Sequence, residues 1–235
     1  MIVVNLNAGS RLGNMMFQSL GMTFLSKKFD YKVESYPAEN VLLQLGANLH
    51  KGSIVNQDLK DYYDNDFLEL LKGPNEIGNG IRFTGYLQIK EFVVEFYEEM
   101  KTFFVFDSSQ EYKDDIFIHV RLGDVECLNP GIDYYTNCIS TISSFNNIYV
   151  SSDDSNNLLV QTLIKDYKAI LYSDTPENTL SFSRKFGSCV LSNGTFSWWI
   201  GFLNSTENVY YPEVHENRRF HPDIYPDVWN KIQCC

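Results

Sequence analysis

Two side chains able to act on a phosphorylated substrate stand two residues apart in the segment 116–124. His119 and Arg121 follow a run of β-forming apolar residues, so both leave one face of a predicted strand near its carboxyl end. A guanidinium at a strand end suits a diphosphate, because its fork is always charged and grips two oxygens at once. The residues leave two alternatives open, an ion-paired scaffold arginine and a histidine that only packs.

Two further segments bring polar groups to the ends of predicted strands. Ser151-Ser-Asp-Asp154 offers hydroxyls and two carboxylates, which could accept hydrogen bonds from a nucleoside or cap the next helix, with Asp154 or Ser155 as the cap. Leu191-Ser-Asn-Gly-Thr-Phe-Ser-Trp-Trp199 leads from a strand into an aromatic helix, and its amides and hydroxyls are typical of an anion-binding helix start. An ordinary capped helix uses the same atoms, so both interpretations stand.

The amino-terminal part carries weaker signals. Gly9-Ser-Arg-Leu-Gly-Asn14 is a glycine turn before a helix, but it lacks the spacing of a dinucleotide fingerprint. Asp64-Asn65-Asp66 has the spacing of a two-carboxylate metal site and also opens a predicted helix, and capping is the favoured interpretation.

Strands and helices must alternate to position these residues. The change in pattern after the polar stretch 107–114 predicts two domains, 1–110 and 111–235. In the second domain, short strands separated by helix-length segments indicate a parallel sheet covered on both faces, with ligands beyond the carboxyl ends of the strands. The predicted strands there are 116–120, 148–151, 169–172, 189–191 and 209–211, and the predicted helices are 134–144, 156–167, 176–186 and 196–203. In the first domain they are strands 2–6 and 81–88 and helices 15–28, 66–72 and 90–101.

Composition narrows the class of protein. Nineteen Lys and Arg against thirty Asp and Glu give a formal net charge of −11, which disfavours a nucleic-acid partner. The five cysteines and four histidines show no zinc-ligand spacing, so no metal is expected. No stretch is apolar enough to predict a transmembrane segment and no export signal is recognised, so we expect a cytoplasmic protein with reduced thiols.

Taken in order, these motifs resemble those of the α-1,2-fucosyltransferases and their relatives, the α-1,6- and protein O-fucosyltransferases. A GRLGNQMFQ-like turn is matched by Ser10-Arg-Leu-Gly-Asn-Met-Met-Phe-Gln18, and an HxRxGD motif by His119-Val-Arg-Leu-Gly-Asp124. An SSDD strand end is matched at 151–154, an NSTFSWW signature at 193–199, and a YP strand end at 211–212. The resemblance spans most of the chain.

The resemblance implies an α/β, GT-B-like enzyme with two Rossmann-type lobes facing a cleft, the N-terminal, acceptor-side lobe being reduced. It implies an inverting glycosyltransferase that moves L-fucose from GDP-fucose to a glycan hydroxyl, without a metal or other cofactor. The expected catalytic residues are Arg121, Asn14 and Asp124, of which Asp124 is a candidate base by position only. The expected donor-binding residues are Arg11, Gly13, His119, Asp153, Asp154, Ser192, Thr195, Phe196 and Ser197.

Departures from the family pattern keep other functions open. Met15 and Gly194 replace a glutamine and a serine, and Thr179 stands where the family commonly has an aspartate that reads guanine. Threonine cannot accept the two hydrogen bonds that a carboxylate takes from guanine's edge. Transfer of another deoxyhexose, such as L-rhamnose, from a different nucleotide is one alternative, and a nucleotide-sugar-binding module without turnover is another.

Overall fold

A computed structural model describes residues 1–6, 10–106, 111–206, 208–213 and 224–234. The chain forms two compact units, Met1–Val105 and Phe106–Cys235. The division falls a few residues before the domain boundary placed from the sequence. Each unit is built on a parallel sheet with helices, so the prediction of an α/β fold with parallel strands is confirmed.

The first unit has a three-stranded sheet in the order β1-β3-β2, with both pairings parallel. The central strand β3 contributes to the core, since its apolar residues Ile81 and Phe83 have no exposed surface. The strands are β1 (Ile2–Asn5), β2 (Leu59–Tyr63) and β3 (Gly80–Thr84). The helices are α1 (Leu12–Phe29), α2 (Glu39–Gln44), α3 (Asp64–Lys72), α4 (Lys90–Glu95) and α5 (Tyr97–Lys101).

Helix α1 is the structural centre of the first unit. Phe24 on α1 makes edge contacts with Phe92 of α4 and with Phe103, at centroid distances of 5.3 and 5.1 Å. Lys28, near the end of α1, donates to the carbonyls of Leu70 and Leu71 at 2.8 Å and of Gly73 at 2.7 Å. These carbonyls end α3 and have no partner within the helix, so the ammonium ties α1 to α3.

The second unit has a six-stranded sheet in the order β6-β5-β4-β7-β8-β9, with every pairing parallel. Counted from β4, this is the strand order 3-2-1-4-5-6 of a Rossmann-like sheet. Strands are added on one side of β4 as far as β6 and on its other side from β7 onward, so the reversal point lies between β4 and β7. The strands are β4 (Tyr112–Val120), β5 (Ile148–Ser152), β6 (Ile170–Leu171), β7 (Phe186–Val190), β8 (Val209–Pro212) and β9 (Asn230–Ile232).

Helices connect the successive strands of this sheet from β4 to β8. They are α6 (Ile132–Thr141), α7 (Leu158–Tyr167), α8 (Pro176–Ser183) and α9 (Thr195–Leu203), and a 3-10 helix spans Gly123–Leu128. Strand β7 and the part of β4 from Asp115 to Val120 are buried on both faces, as expected for central parallel strands. Among the described residues, none of the helices has the length and apolar character that a membrane crossing requires.

Two element predictions in the first unit were wrong. The single helix 90–101 is two helices that meet at Phe96, whose ψ of 10° is not helical. The bend keeps Phe96 against Phe24 while Tyr97 and Met100 are buried. The strand 81–88 ends at Thr84, because the chain turns sharply at Gly85. Helix α2 and strand β2 had no prediction, since neither carries a strong periodic pattern.

In the second unit the boundary between α8 and β7 was misplaced. The predicted helix 176–186 ends at Ser183, and β7 starts at Phe186, before the predicted start at Cys189. Gly187 explains the early start: a Cβ there would lie 1.7 Å from the carbonyl oxygen of Lys113, where the register of β4 shifts. Strand β9 had no prediction.

Lys28→Met should lower the free energy of unfolding by about 1.5–3 kcal/mol, because it removes charge-assisted hydrogen bonds to three part-buried carbonyls. The control is Lys27→Met. Lys27 also sits in the last turn of α1, but it pairs with the exposed Glu99, so its loss should cost no more than about 1 kcal/mol. Urea unfolding of both variants measures the difference. Equal losses in the two variants would refute the role assigned to Lys28.

Candidate functional site

The candidate site lies where β4 and β7 end, at the reversal point of the six-stranded sheet. Arg121 follows the last residue of β4, and Ser192 to Thr195 follow β7. In an open parallel sheet the connections leave in opposite directions at this point, which opens a crevice beyond the strand ends. The order of the strands therefore gathers two of the three motifs singled out from the sequence of this unit.

The end of the neighbouring strand β5 supplies the third motif. Asp153 pairs with Arg121 through Oδ2 and accepts the N–H of Leu122 through Oδ1 at 2.8 Å. Gly123 has a φ of 44°, and a Cβ there would lie 2.6 Å from Asp153 Oδ2. A glycine is thus required after β4, because its bare backbone lets the carboxylate approach the turn.

Arg121 and Asp153 are both only partly buried, with 18% and 29% of their side chains exposed. Both interpretations of Arg121 thus find support, since it is ion-paired and also reaches the strand-end surface. Asp154 is exposed, accepts the N–H of Asn156 at 3.1 Å and does not cap α7. The cap predicted at Asp154 or Ser155 was wrong: Asn157 caps α7 by accepting the N–H of Leu159 at 3.0 Å.

His119 is buried below the strand ends. Its Nδ1 lies 2.6 Å from the hydroxyl oxygen of Ser197 on α9, and its ring contacts Phe196 at 5.1 Å. Only 4% of His119 is exposed, and this burial lowers its pKa from 6.5 to about 4. The imidazole is therefore neutral near pH 7. It links the end of strand β4 to α9, as the packing interpretation expects.

Helix α9 begins at the reversal point. Its N-cap is Gly194, with a φ of 118° and no side chain that could accept from the first-turn N–H groups. Thr195 and Phe196, at the start of the helix, are partly exposed, whereas Ser197 is buried. The partial positive charge of a helix start therefore lies next to the end of β4.

Two residues before α9 are almost fully buried. Ser192 and Asn193 are 0% and 6% exposed. Asn193 donates from Nδ2 to the carbonyl of Leu128 at 2.6 Å, which ties the end of β7 to the 3-10 helix, while its Oδ1 has no hydrogen-bond partner among the described residues. A buried acceptor without a partner is costly, and a ligand hydroxyl or N–H can satisfy it.

Asn129 is a site residue that the sequence did not single out. Its Nδ2 donates to the carbonyl of Arg121 at 2.9 Å and to the hydroxyl of Tyr135 at 3.2 Å, so it fixes the backbone that carries the guanidinium. Its Oδ1 accepts the N–H of Gly131 at 2.9 Å. The signal was present, since Asn129-Pro130-Gly131 is a turn sequence.

The other predicted residues belong to the first unit or are not described. Arg11 is the exposed N-cap of α1, Gly13 is buried in its first turn, and Asn14 Oδ1 accepts from Gln88 Nε2 at 2.9 Å. The side chain of Asp124 lies outside the described residues, as do Asn7, Ala8 and Gly9 of the amino-terminal turn.

The carboxylates at 64 and 66 have structural partners. Asp66 accepts the N–H of Tyr63 at 2.8 Å, which confirms the capping interpretation for that residue. Asp64 holds the backbone after β3 instead. Within the described parts of the chain, no group of three or more His, Cys, Asp or Glu is placed to hold a metal ion.

Comparison of this chain with models of protein families, with curated proteins and with solved structures gave no match. Its function is therefore inferred from the strand-end residues themselves. These residues combine a positioned guanidinium, a helix start whose N-cap is a glycine, and a buried acceptor, which together suit an anionic ligand that also carries hydroxyl or N–H groups.

His119 makes the stability of the second unit depend on pH. Below its ordinary pKa of 6.5 the unfolded imidazole takes up a proton, whereas the folded one stays neutral until about pH 4. Stability should therefore fall as the pH drops from 6.5 to 4, by about 1.4 kcal/mol per pH unit from this residue and on the order of 3 kcal/mol in total.

Urea unfolding between pH 7 and pH 4 measures this dependence, and His119→Gln should flatten the curve by that amount. Identical curves for His119→Gln and the parent protein would show that His119 takes up its proton in the folded state.

Proposed function

We propose that the second unit binds a nucleoside-diphosphate sugar beyond the ends of β4 and β7, and that the protein is an inverting glycosyltransferase resembling the fucosyltransferases. The observation that carries the proposal is the position of Arg121 and the start of α9 at the reversal point of a 3-2-1-4-5-6 parallel sheet. Two independent sources of positive potential meet there, and a diphosphate is the group that uses both.

The ion pair with Asp153 is compatible with this role. Asp153 holds the guanidinium at the strand end, and the carboxylate keeps a second bond to the N–H of Leu122. Because both side chains are partly exposed, water screens their attraction. A diphosphate, with more charge and oxygens spaced for bidentate contact, competes for the same guanidinium.

The buried Oδ1 of Asn193 supports a ligand that has donors as well as phosphates. A ribose hydroxyl or a base N–H would satisfy this acceptor. Thr195 and Phe196 flank the site and would contact the ligand, while the buried pair His119 and Ser197 would hold the start of α9 in place.

In the proposed reaction an acceptor hydroxyl oxygen attacks the anomeric carbon of the sugar. The bond from that carbon to the phosphate oxygen breaks, and the nucleoside diphosphate leaves with the electron pair. Arg121 and the first N–H groups of α9 would neutralise the charge that develops on the leaving group, and such fixed donors supply much of the rate in reactions of this kind. The hydroxyl proton leaves to a base, for which Asp124 remains the candidate.

The donor we propose is GDP-fucose, and the acceptor is a glycan hydroxyl. Arg11, Gly13 and Asn14 remain predicted contributors from the first unit. A donor with a different base is favoured by one observation: Thr179 is 4% exposed on α8 and brings no carboxylate to read guanine. A binding module without turnover remains the alternative of another class.

Thermal unfolding with GDP, UDP and dTDP tests the donor. A nucleotide at a hundredfold its Kd should stabilise the protein by about 2.7 kcal/mol, and GDP is expected to do so. Stabilisation by UDP or dTDP instead of GDP would indicate that the donor is another deoxyhexose linked to that nucleotide. Failure of all three nucleotides would refute the nucleotide site.

Arg121→Ala should weaken binding of that nucleotide by about 10- to 100-fold, since it removes charge-assisted hydrogen bonds to phosphate. The control is Arg82→Ala, which breaks a comparable pair with Asp61 in the first unit and should leave the affinity unchanged. Calorimetric titration gives both affinities, and transfer assays with glycan acceptors give turnover. Tight binding by the parent protein with no turnover on any acceptor would favour the binding module.

A further inference from the structure

The loop that follows β3 has an unusual backbone. Leu87 is a large residue with a φ of 57°, in the left-handed region that favours glycine. The other described non-glycine residues with positive φ, Asp30 and Lys168, end helices, where this conformation is ordinary. Strain in a loop persists only where the surroundings enforce it, and such places cluster at functional sites.

Two side chains from neighbouring elements enforce this conformation. Asp64, the first residue of α3, accepts the N–H of Leu87 through Oδ1 at 2.8 Å and the N–H of Tyr86 through Oδ2 at 3.1 Å. Gln18 of α1 donates from Nε2 to the carbonyl of Gly85 at 2.7 Å. A Cβ at Gly85 would lie 2.3 Å from Asp64 Oδ1, so only glycine admits the carboxylate.

The Leu87 side chain anchors the loop from below. It is 0% exposed, and a Cβ at Gly21 of α1 would lie 2.2 Å from its Cδ1. Helix α1 therefore has a gap that receives this side chain. Hydrogen bonds to Asp64 and Gln18 thus hold the backbone of the loop, and the buried Leu87 side chain anchors it in the core. Polar residues at the ends of the three strands and at the start of α1 adjoin this loop.

That edge, here called the amide edge, consists of Asn5, Asn14, Tyr63, Thr84 and Gln88. Asn5 and Tyr63 lie beside Thr84 in register, so the ends of all three strands contribute. Asn5 Nδ2 donates to Thr84 Oγ1 at 3.1 Å, and Gln88 Nε2 donates to Asn14 Oδ1 at 2.9 Å. Tyr63 is 55% exposed.

The chemistry of the amide edge is neutral. It offers amides, a hydroxyl and an exposed aromatic ring, and the nearby carboxylate of Asp64 is occupied by the loop. Next to the loop, Gln18 is fully buried, and in the described part of the chain nothing hydrogen-bonds to its Oε1. Amides and hydroxyls pair with the hydroxyls of a sugar, and an aromatic face packs on the C–H face of a pyranose.

We propose that the amide edge binds a pyranose of the acceptor saccharide and that Asp64 is a positioning residue, which holds the loop 85–88 in the conformation that places Gln88 for this contact. The identification of this saccharide as the acceptor rests on the proposed function. The saccharide contact itself rests on the first unit alone and is tested separately.

Saturation-transfer NMR on the full chain, with a panel of methyl hexopyranosides and their disaccharides as probes, detects the contact. We expect at least one probe to bind the parent protein, and Tyr63→Ser to weaken it by about 3- to 10-fold through loss of the aromatic face. Leu43→Ser removes another exposed apolar side chain of the same unit and should not change binding.

Asp64→Asn tests the positioning role. Asparagine has one acceptor oxygen, so its NH₂ group would face one of the two loop N–H groups and release the loop. Saccharide binding should weaken by at least about tenfold. The control Glu69→Gln removes the same charge from an exposed position of the same helix, and it should bind as the parent protein does. Melting temperatures of the two variants separate a loss of folding from a loss of binding.

Nucleotide titrations on the same samples separate this inference from the proposed function. Saccharide binding that depends on Tyr63 and Asp64, without nucleotide binding, would support the amide edge and refute the transferase. Nucleotide binding with no saccharide signal, or with signals that Tyr63→Ser and Asp64→Asn leave unchanged, would overturn the amide edge. Equal losses in Asp64→Asn and Glu69→Gln would overturn the positioning role alone.

Discussion

The parallel pairing of β4 with β7 is the constraint on which the candidate site depends. These strands are adjacent in the sheet but far apart in the chain, so their carboxyl ends meet only because the strand order reverses between them. Apolar residues buried on both faces hold the pair together, and Gly187 allows the close approach to the backbone of Lys113. Without that pairing, Arg121 and the start of α9 would not lie at the same edge of the sheet.

The two units use the same device at the end of their central strands. After β4, Asp153 accepts a backbone N–H and abuts Gly123; after β3, Asp64 accepts two backbone N–H groups and abuts Gly85. In each case the carboxylate belongs to the chain just after a neighbouring strand. A turn fixed in this way cannot relax, so the side chains it carries are preorganised.

Much of the fold of the second unit could be predicted, because its strands are short apolar runs separated by helix-length segments. The ends of the helices and strands were harder to place. The boundary between α8 and β7, for example, depends on the close approach of Gly187 to the backbone of Lys113, which is distant in the sequence. The motifs identified Arg121 and Asp153 individually, but their pairing needed the sheet order. In the first unit, nothing local in the sequence indicates that Asp64 would hold Leu87, because that contact joins the start of α3 to a loop 23 residues further along the chain.

Electrostatics explains why a local arrangement is needed at all. A chain with a net charge of −11 repels an anionic nucleotide at long range, so binding must come from groups within a few ångströms of the phosphates. His119 is neutral near pH 7 and adds no charge at the end of β4. In the proposed function, the guanidinium of Arg121 therefore acts together with the start of α9. Asp153 pairs with that guanidinium, and in the proposed function a diphosphate would compete with the carboxylate for it.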